Sequence, residues 1–345
     1  MRKLEVAQID NELGRMFTSR RQVVEAREAH LAALALLETD GRRASAPEPL
    51  RFELARTCYF LGTQERPLPA AGPRQEDRPA PISDEQMECL AQAVALLKAL
   101  PASPPANPEY QHLLALCYLE GAAVGEASSP QAKGGAERAI EILEGLVQAF
   151  PTIPDYAYDL SEAYSRIHIP RPPIPPETER AIKDRFGKSL VLLKKLVVQY
   201  PDLPDFPAAE ARIYEKLGAL DRQMQHWADA EQNFRKAIDI QEKLVTQFPN
   251  SLNYGLWLAT FRIALADALI RQNQPAEART ELEDSIALLL SQVKQRPQMP
   301  PPHSVLALGY SRLAMALRQM GQNNGAAEAE RKAEQERMGS GAFCP

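Results

Sequence analysis

The sequence is poor in aromatic residues, which limits how its core can be built. Phenylalanine, tyrosine and tryptophan together make up 6% of the 345 residues, whereas hydrophobic residues make up 45%. The core must therefore consist mainly of alanine, leucine, isoleucine and valine. That mixture favours helices over sheets.

A strong charge of one sign and long hydrophobic runs are also absent. The formal net charge is −5, so the chain lacks the basic field that nucleic acid requires. No apolar run approaches the ~18 residues of a membrane span, and the N-terminal stretch has no apolar secretion-signal core. We therefore expect a cytoplasmic protein without nucleic-acid or membrane partners.

Cysteine and histidine are too scattered to suggest a metal or redox site. Cys58, Cys89 and Cys117 are interpreted as small buried hydrophobic residues and Cys344 as a thiol in the tail, since no C-x-x-C pair occurs. No histidine belongs to an H-E-x-x-H motif. The Gly-Lys-Ser at 187–189 lacks the earlier glycine of a phosphate-binding loop. We therefore predict no catalytic residue, no metal and no cofactor.

Proline positions indicate an internal repeat. Apolar residues between the prolines recur at steps of three and four, the period of a helix. A proline cannot continue a helix, but it fits the first turn of the next one. Each repeat is therefore predicted to be a pair of helices. Five prolines that close apolar segments are spaced by 50, 50, 48 and 48 residues: Pro101, Pro151, Pro201, Pro249 and Pro297.

Small residues recur at fixed offsets within these pairs. Leu217 and Gly218 are followed by Ala230, Phe234 and Ala237, and the first, sixth and last pairs repeat these offsets. Small residues at such points let two helices approach closely, and the larger residue between them fills the remaining gap. This spacing resembles the tetratricopeptide repeat (TPR).

The resemblance to TPR proteins covers nearly the whole chain and is clearest at 214–237 and 12–33. The period is near 50 residues rather than the usual 34. Such long-period arrays look like those of bacterial signalling proteins, where they often lie beside Ser/Thr kinase modules. The resemblance implies an all-α fold, an α-solenoid that winds as a right-handed superhelix, in which each pair buries its face against its neighbours.

We predict a single array over residues 1–338 and a flexible tail at 339–345. Proline-rich insertions interrupt the second unit at 63–83 and the fourth unit at 168–178. About seven units are predicted, at 4–38, 48–100, 106–150, 154–200, 204–248, 252–296 and 302–337.

In the TPR register, the first helix of each pair lines a concave groove that holds an extended peptide or a partner helix. Both charge signs occur among the residues expected there, so the sequence does not fix the charge of the ligand. The expected peptide-binding residues are Asn11, Arg15, Arg212, Arg222, Asp267, Arg271, Ser311 and Arg318.

Three functions remain open at this point. The leading hypothesis is a bacterial cytoplasmic scaffold for protein–protein interactions, with a role in signalling. The second is a self-assembling structural module whose groove or terminal faces bind copies of the chain. The third is an all-α toroid enzyme, but a glycosidase needs paired carboxylates in an aromatic-lined cleft and a terpene cyclase needs an aromatic cavity. The low aromatic content argues against this class, so we predict that the chain is not an enzyme.

Overall fold

The computed structural model describes residues 2–19, 22–42, 45–63, 83–100, 107–124, 130–167, 169–295 and 302–341. Within these residues the regular secondary structure consists of helices joined by turns and loops. This confirms the predicted all-α class. The helices are α1 (Arg2–Ser19), α2 (Val23–Gly41), α3 (Glu48–Thr63), α4 (Asp84–Lys98), α5 (Pro108–Val124), α6 (Pro130–Ala149), α7 (Pro154–Ser165), α8 (Pro176–Gln199), α9 (Asp205–Gln223), α10 (Trp227–Gln247), α11 (Leu252–Arg271), α12 (Pro275–Gln295), α13 (His303–Gln319) and α14 (Asn323–Gly341).

Prolines set many helix boundaries, as the sequence predicts. The helices α6, α8 and α10 end at Ala149, Gln199 and Gln247, each two residues before a proline. The helices α7 and α8 begin at Pro154 and Pro176, where the missing backbone N–H has no partner to lose. The spacing of the prolines in the sequence therefore predicts where many of the helices end and begin.

An aromatic contact accompanies three of these turns. The aromatic residue before the proline packs on a second ring six residues further along the chain, which joins the end of one helix to the start of the next. The ring centroids are 6.3, 6.0 and 5.9 Å apart in the pairs Phe150–Tyr156, Tyr200–Phe206 and Phe248–Tyr254.

The helices form two compact units, with α1 to α7 in the first and α8 to α14 in the second. In the first unit α1 contacts α3, α3 contacts α5 and α5 contacts α7; in the second, α9 contacts α11 and α11 contacts α13. The odd-numbered helices of each unit thus lie side by side, and even-numbered helices pack against them. We call the odd-numbered helices of a unit its odd layer. That one array runs through both units stays a prediction.

Within a pair, a glycine of the first helix receives a ring from the second. A Cβ atom added at Gly218 of α9 would lie 2.7 Å from the ring of Phe234 in α10. Gly14 of α1 is covered just as closely by the ring of His30 in α2. Both rings are buried, and so are the alanines that flank Phe234. The predicted offsets therefore mark real helix contacts in the first and fifth pairs.

The last pair, α13 and α14, has an exposed charged residue where the fifth pair has a buried ring. Glu330 of α14 occupies the position that Phe234 has in α10, yet it is exposed and pairs with Arg318 of α13, with Oε1 2.5 Å from Nη2. The helix continues to Gly341 and so includes the start of the tail predicted at 339–345. Residues 342–345, with Cys344, lie outside the described part of the chain.

The other cysteines have the environment expected for small apolar residues. Cys58 and Cys117 are buried in the core of the first unit, and Cys89 packs against the same core. Burial raises the pKa of Cys58 to about 12, so its thiol is neutral at physiological pH.

Most of the insertion predicted at 63–83 lies outside the described residues, and the insertion predicted at 168–178 leads into α8.

Candidate partner-binding site

In the first unit, the predicted site residue Asn11 lies inside the fold rather than on a groove. Its side chain is buried. Its Nδ2 donates to Oε1 of Glu53 at 2.6 Å and to Oγ1 of Thr57 at 2.8 Å, both in α3. Its Oδ1 lies 2.9 Å from Nδ1 of His30 in α2. Asn11 therefore connects three helices and offers no surface to a partner, so we leave it out of the site.

The same network fixes the protonation of His30. Both amide hydrogens of Asn11 are already donated, so its oxygen accepts a hydrogen bond from Nδ1–H of His30. Burial, and then repulsion from Arg56, lower the pKa of His30 to about 4. His30 is therefore neutral at physiological pH. The sequence gives no sign of this role, because the hydrogen-bond partner of His30, Asn11, lies 19 residues away in another helix.

Arg15, the second predicted site residue of the first unit, is accessible. Its Nη1 lies 3.2 Å from Oε2 of Glu12, one turn earlier in α1. Glu12 also pairs with Arg56 of α3. Exposed pairs of this kind hold a side chain only weakly, so Arg15 can exchange its partner for a ligand.

In the second unit, the odd layer carries a row of alternating charges. Asp267 of α11 is buried between two arginines. Its Oδ2 lies 3.3 Å from Nη1 of Arg222 in α9, and its Oδ1 lies 3.0 Å from Nε of Arg312 in α13. We call Arg222, Asp267 and Arg312 the charge row. It joins three neighbouring helices of the odd layer.

The TPR register finds two members of the charge row and misses Arg312. It selects the neighbouring Ser311 instead, because Ser311 has the offset that Asn11 has in the first pair. A usable signal is nevertheless present. Arg222 precedes Asp267 by 45 residues, and Arg312 follows Asp267 by the same number (312 − 267 = 45). The step is three residues shorter than the 48 that separate Gly218, Ala266 and Ala314, so each charged residue lies nearly one helical turn nearer the N-terminus of its helix than the one before it.

The remaining predicted residues lie on the same helices. The guanidinium of Arg271 lies 5.9 Å from the ring centroid of Trp227 and is exposed. Arg318 is exposed and pairs with Glu330. Arg212 is half-buried in α9. The structure therefore brings Arg222 and Asp267 into direct contact, and it places Arg271 and Arg318 on neighbouring helices of the odd layer without contact to that pair.

Ser311 lies at the edge of the odd layer, facing the last helix. Its Oγ donates to the carbonyl of Ala307 at 2.7 Å and accepts from Nη2 of Arg337 at 2.8 Å. With residues of α14 it lines an open cavity of about 410 Å³. The other lining residues are Glu330, Arg331, Ala333, Glu334 and Arg337.

Three arginines of this set occupy the last turns of their helices. Arg222, Arg271 and Arg318 close α9, α11 and α13. A cation there also interacts favourably with the negative end of the helix dipole, so part of their role is to stabilise the helices. Arg222 and Arg312 share the carboxylate of Asp267, and Arg318 pairs with Glu330.

One group of side chains has distances that would suit a metal ion. It contains Glu179, Asp221 and His226. The ammonium group of Lys183 lies 2.8 Å from Oε1 of Glu179 and 2.7 Å from Oδ1 of Asp221. Hydrogen bonding from Lys183 lowers the pKa of Glu179. A cation of the protein itself thus balances these carboxylates, and we assign the group a structural role.

Comparison with known proteins reveals similarity at the level of the fold. No protein-family model matches the sequence, and a search of the curated proteins finds no relative. The structure is similar to that of Nro1, a hypoxic regulator of sterol synthesis and nuclear import adaptor, with a TM-score of 0.51 and 16% identity over 82% of this chain and 88% of Nro1.

Two further structures are similar at a lower level. One is TTC0263, a thermophilic TPR protein of Thermus thermophilus, with a TM-score of 0.45 and 17% identity over 76% of this chain and 99% of TTC0263. The other is the apo form of RapI, with a TM-score of 0.46 and 12% identity over 97% of this chain and 99% of RapI.

The fold and its repeated contacts define a class of protein. The chain has a helical-repeat fold like that of TPR proteins, as the spacing of small residues predicts. Within the residues that the structure covers, every helix is too short or too polar to cross a membrane.

Proposed function

We propose that the chain is a protein-binding scaffold that holds an acidic peptide or partner helix against the odd layer of its second unit. The observation that supports this proposal is the charge row, which spans α9, α11 and α13. Neighbouring parallel helices whose polar side chains contact one another form a surface on which an extended ligand can make a contact at each helix.

The charge row favours an acidic ligand for a chemical reason. A guanidinium has five N–H donors in a fixed plane. Arg222 contacts Asp267 through Nη1 and its side chain is 38% exposed, so its Nη2 can donate to a ligand. Asp267 already holds the two arginines in place. Binding of a ligand carboxylate therefore costs less side-chain entropy than binding to mobile arginines would. Arg271 and Arg318 add positive charge on the same helices.

The finer features of this function are proposed on the TPR resemblance alone. They are a location in the bacterial cytoplasm and participation in signalling.

A peptide-display selection tests the proposed site. Random peptides are selected on the wild-type chain, and the affinity of the enriched peptides is measured by fluorescence anisotropy. We expect enrichment of acidic peptides, and we expect Arg222→Gln with Arg271→Gln to weaken their binding by at least about tenfold, the equivalent of ~1.4 kcal/mol. Glutamine is chosen because it removes charge without adding repulsion to Asp267.

The matched control changes the same charge on even-numbered helices. Lys188 of α8 pairs with Asp184, and Arg279 of α12 pairs with Glu283, all of them exposed. The variant Lys188→Gln with Arg279→Gln should bind like wild type. Equal loss in both variants, or enriched peptides without acidic residues, would count against binding at the odd layer.

A further inference from the structure

Arg271, in the last turn of α11, differs from the arginines in the last turns of the neighbouring helices α9 and α13. Arg222 and Arg318 each pair with a carboxylate. The side chain of Arg271 is exposed, and it forms no ion pair and donates no hydrogen bond within the described residues. Its contact is with the ring of Trp227, whose centroid lies 5.9 Å from the guanidinium carbon. The five N–H groups of Arg271 are therefore open to an acceptor from outside the chain.

Trp227 is in turn held in place from α11. It is the first residue of α10 and is half-buried. Gln272, the neighbour of Arg271 in the sequence, donates from Nε2 to the carbonyl oxygen of Trp227 at 3.3 Å and to Oε2 of Glu231 at 2.8 Å. The start of α10 is thus bonded to the end of α11, and the indole has a fixed place beside the arginine.

The repeat does not require this contact between an arginine and a ring. The small residues that mark successive pairs of the second unit are 48 residues apart. The same step leads from Trp227 to Pro275 and from Arg271 to Gln319. Proline and glutamine form no cation–π contact, yet α12 packs on α13 as α10 packs on α11. The helices therefore join without such a pair, and the packing of the repeat does not explain it.

An aromatic ring orients a guanidinium without using its hydrogen-bond donors. Arginine stacks on aromatic faces, and its N–H groups lie in the plane of the guanidinium, where they can still meet a carboxylate. An arginine that a ring already holds also loses less side-chain entropy on binding than a mobile one. In the charge row Asp267 offsets part of the positive charge, whereas no described carboxylate pairs with Arg271.

We infer that Arg271 receives a carboxylate of the acidic ligand and that Trp227 is a positioning residue that holds Arg271 for it. This inference rests on the proposed function and deepens it. It extends the site from the odd layer to the first residue of α10, and it places one acidic residue of the ligand at the end of α11.

A double-mutant cycle tests the inference, with the most strongly enriched acidic peptide of the display selection as the probe. Trp227→Leu should weaken binding about threefold, as expected for the loss of an exposed cation–π contact. In an Arg271→Gln background the same substitution should have no effect, because Trp227 then has no cation to hold. Trp227→Phe keeps a ring and should bind within roughly twofold of wild type.

A second measurement reports on Trp227 directly. The chain has two tryptophans, so in a Trp257→Phe background the fluorescence comes from Trp227 alone, and it should change as the peptide binds. The matched control is Phe60→Leu, which removes a ring 5.6 Å from the guanidinium carbon of Arg56 in the first unit and should leave the affinity unchanged. Circular dichroism should show wild-type helix content for every variant.

The possible results separate this inference from the proposed function. Three results would overturn the inference and leave acidic-peptide binding intact: no loss from Trp227→Leu, an equal loss with and without Arg271, and unchanged Trp227 fluorescence at saturation. A selection without acidic peptides, or binding that Arg222→Gln with Arg271→Gln does not weaken, would overturn both.

Discussion

The first and fifth helix pairs solve the same packing problem with different chemistry. In each, a glycine of the first helix faces a ring of the second: Gly218 faces Phe234, and Gly14 faces His30. Phe234 belongs to a continuous apolar core. His30 instead donates to Asn11, which in turn reaches two side chains of α3.

The two pairs show that the geometry of the helix contact does not depend on the chemistry of the ring. The close approach of the helices needs a glycine on one side and a ring of the right size on the other. It does not need that ring to be apolar, provided that each buried polar atom has a partner. The consequence is that the two units should respond differently to truncation and to pH.

The largest expected effect is at Phe234. Phe234→Ala leaves a cavity in an apolar core, which water does not fill, and should lower the free energy of unfolding of the second unit by about 3–5 kcal/mol. His30→Ala should cost the first unit less, about 1–3 kcal/mol, because water can enter and hydrogen bond to Asn11. Hydrogen-exchange mass spectrometry resolves the two units. A larger cost at His30 than at Phe234 would contradict the proposed difference.

The next effect is a pH dependence confined to the His30 network. The pKa of His30 is about 4 in the folded chain, below its ordinary value of 6.5. As pH falls below 6.5 the unfolded chain binds a proton that the folded chain does not, so the first unit should lose roughly 3 kcal/mol between pH 6.5 and pH 4.

His30→Gln provides the control for this pH dependence. Glutamine keeps an N–H group but does not titrate, so unfolding followed at several pH values should lose the contribution of this site. Carboxylates elsewhere titrate in the same range and affect both proteins equally. An identical pH profile for wild type and His30→Gln would show that His30 is not held neutral by the fold.

A smaller effect is expected at Asn11. Asn11→Leu has a similar volume but removes one hydrogen-bond partner from each of Glu53, Thr57 and His30, and should destabilise the first unit by about 2 kcal/mol. The matched control is Arg15→Leu, one turn later and exposed, which should change stability by less than about 0.5 kcal/mol. Thermal unfolding compares the two variants. Equal values would mean that the polar network does not stabilise the unit.

Sequence analysis predicts the local features of this fold well. Proline positions mark the ends of α6, α8 and α10 because a proline acts on its own helix. Small residues at fixed offsets mark the contact between the two helices of a pair, since those helices are neighbours along the chain. Both features depend only on residues within one repeat of about 50 residues.

The polar contacts between repeats were harder to predict. Asn11 has the offset of a groove residue, but its environment depends on Glu53 and Thr57, which lie 42 and 46 residues further on. Arg312 was missed because its partner Asp267 lies in the preceding pair. The offsets within one repeat do not specify which residues of the next repeat a side chain contacts. Comparing the charged residues on the first helices of successive pairs, at a step of 45 residues, would have found the charge row.

The central claim is that a protein partner binds to the odd layer of the second unit. Hydrogen exchange of the chain, with and without a saturating acidic peptide from the display selection, tests this claim most directly. We predict slower exchange at the C-terminal ends of α9, α11 and α13, near Arg222, Arg271 and Arg318. Slower exchange confined to the even-numbered helices or to α1, with these three ends unchanged, would contradict it.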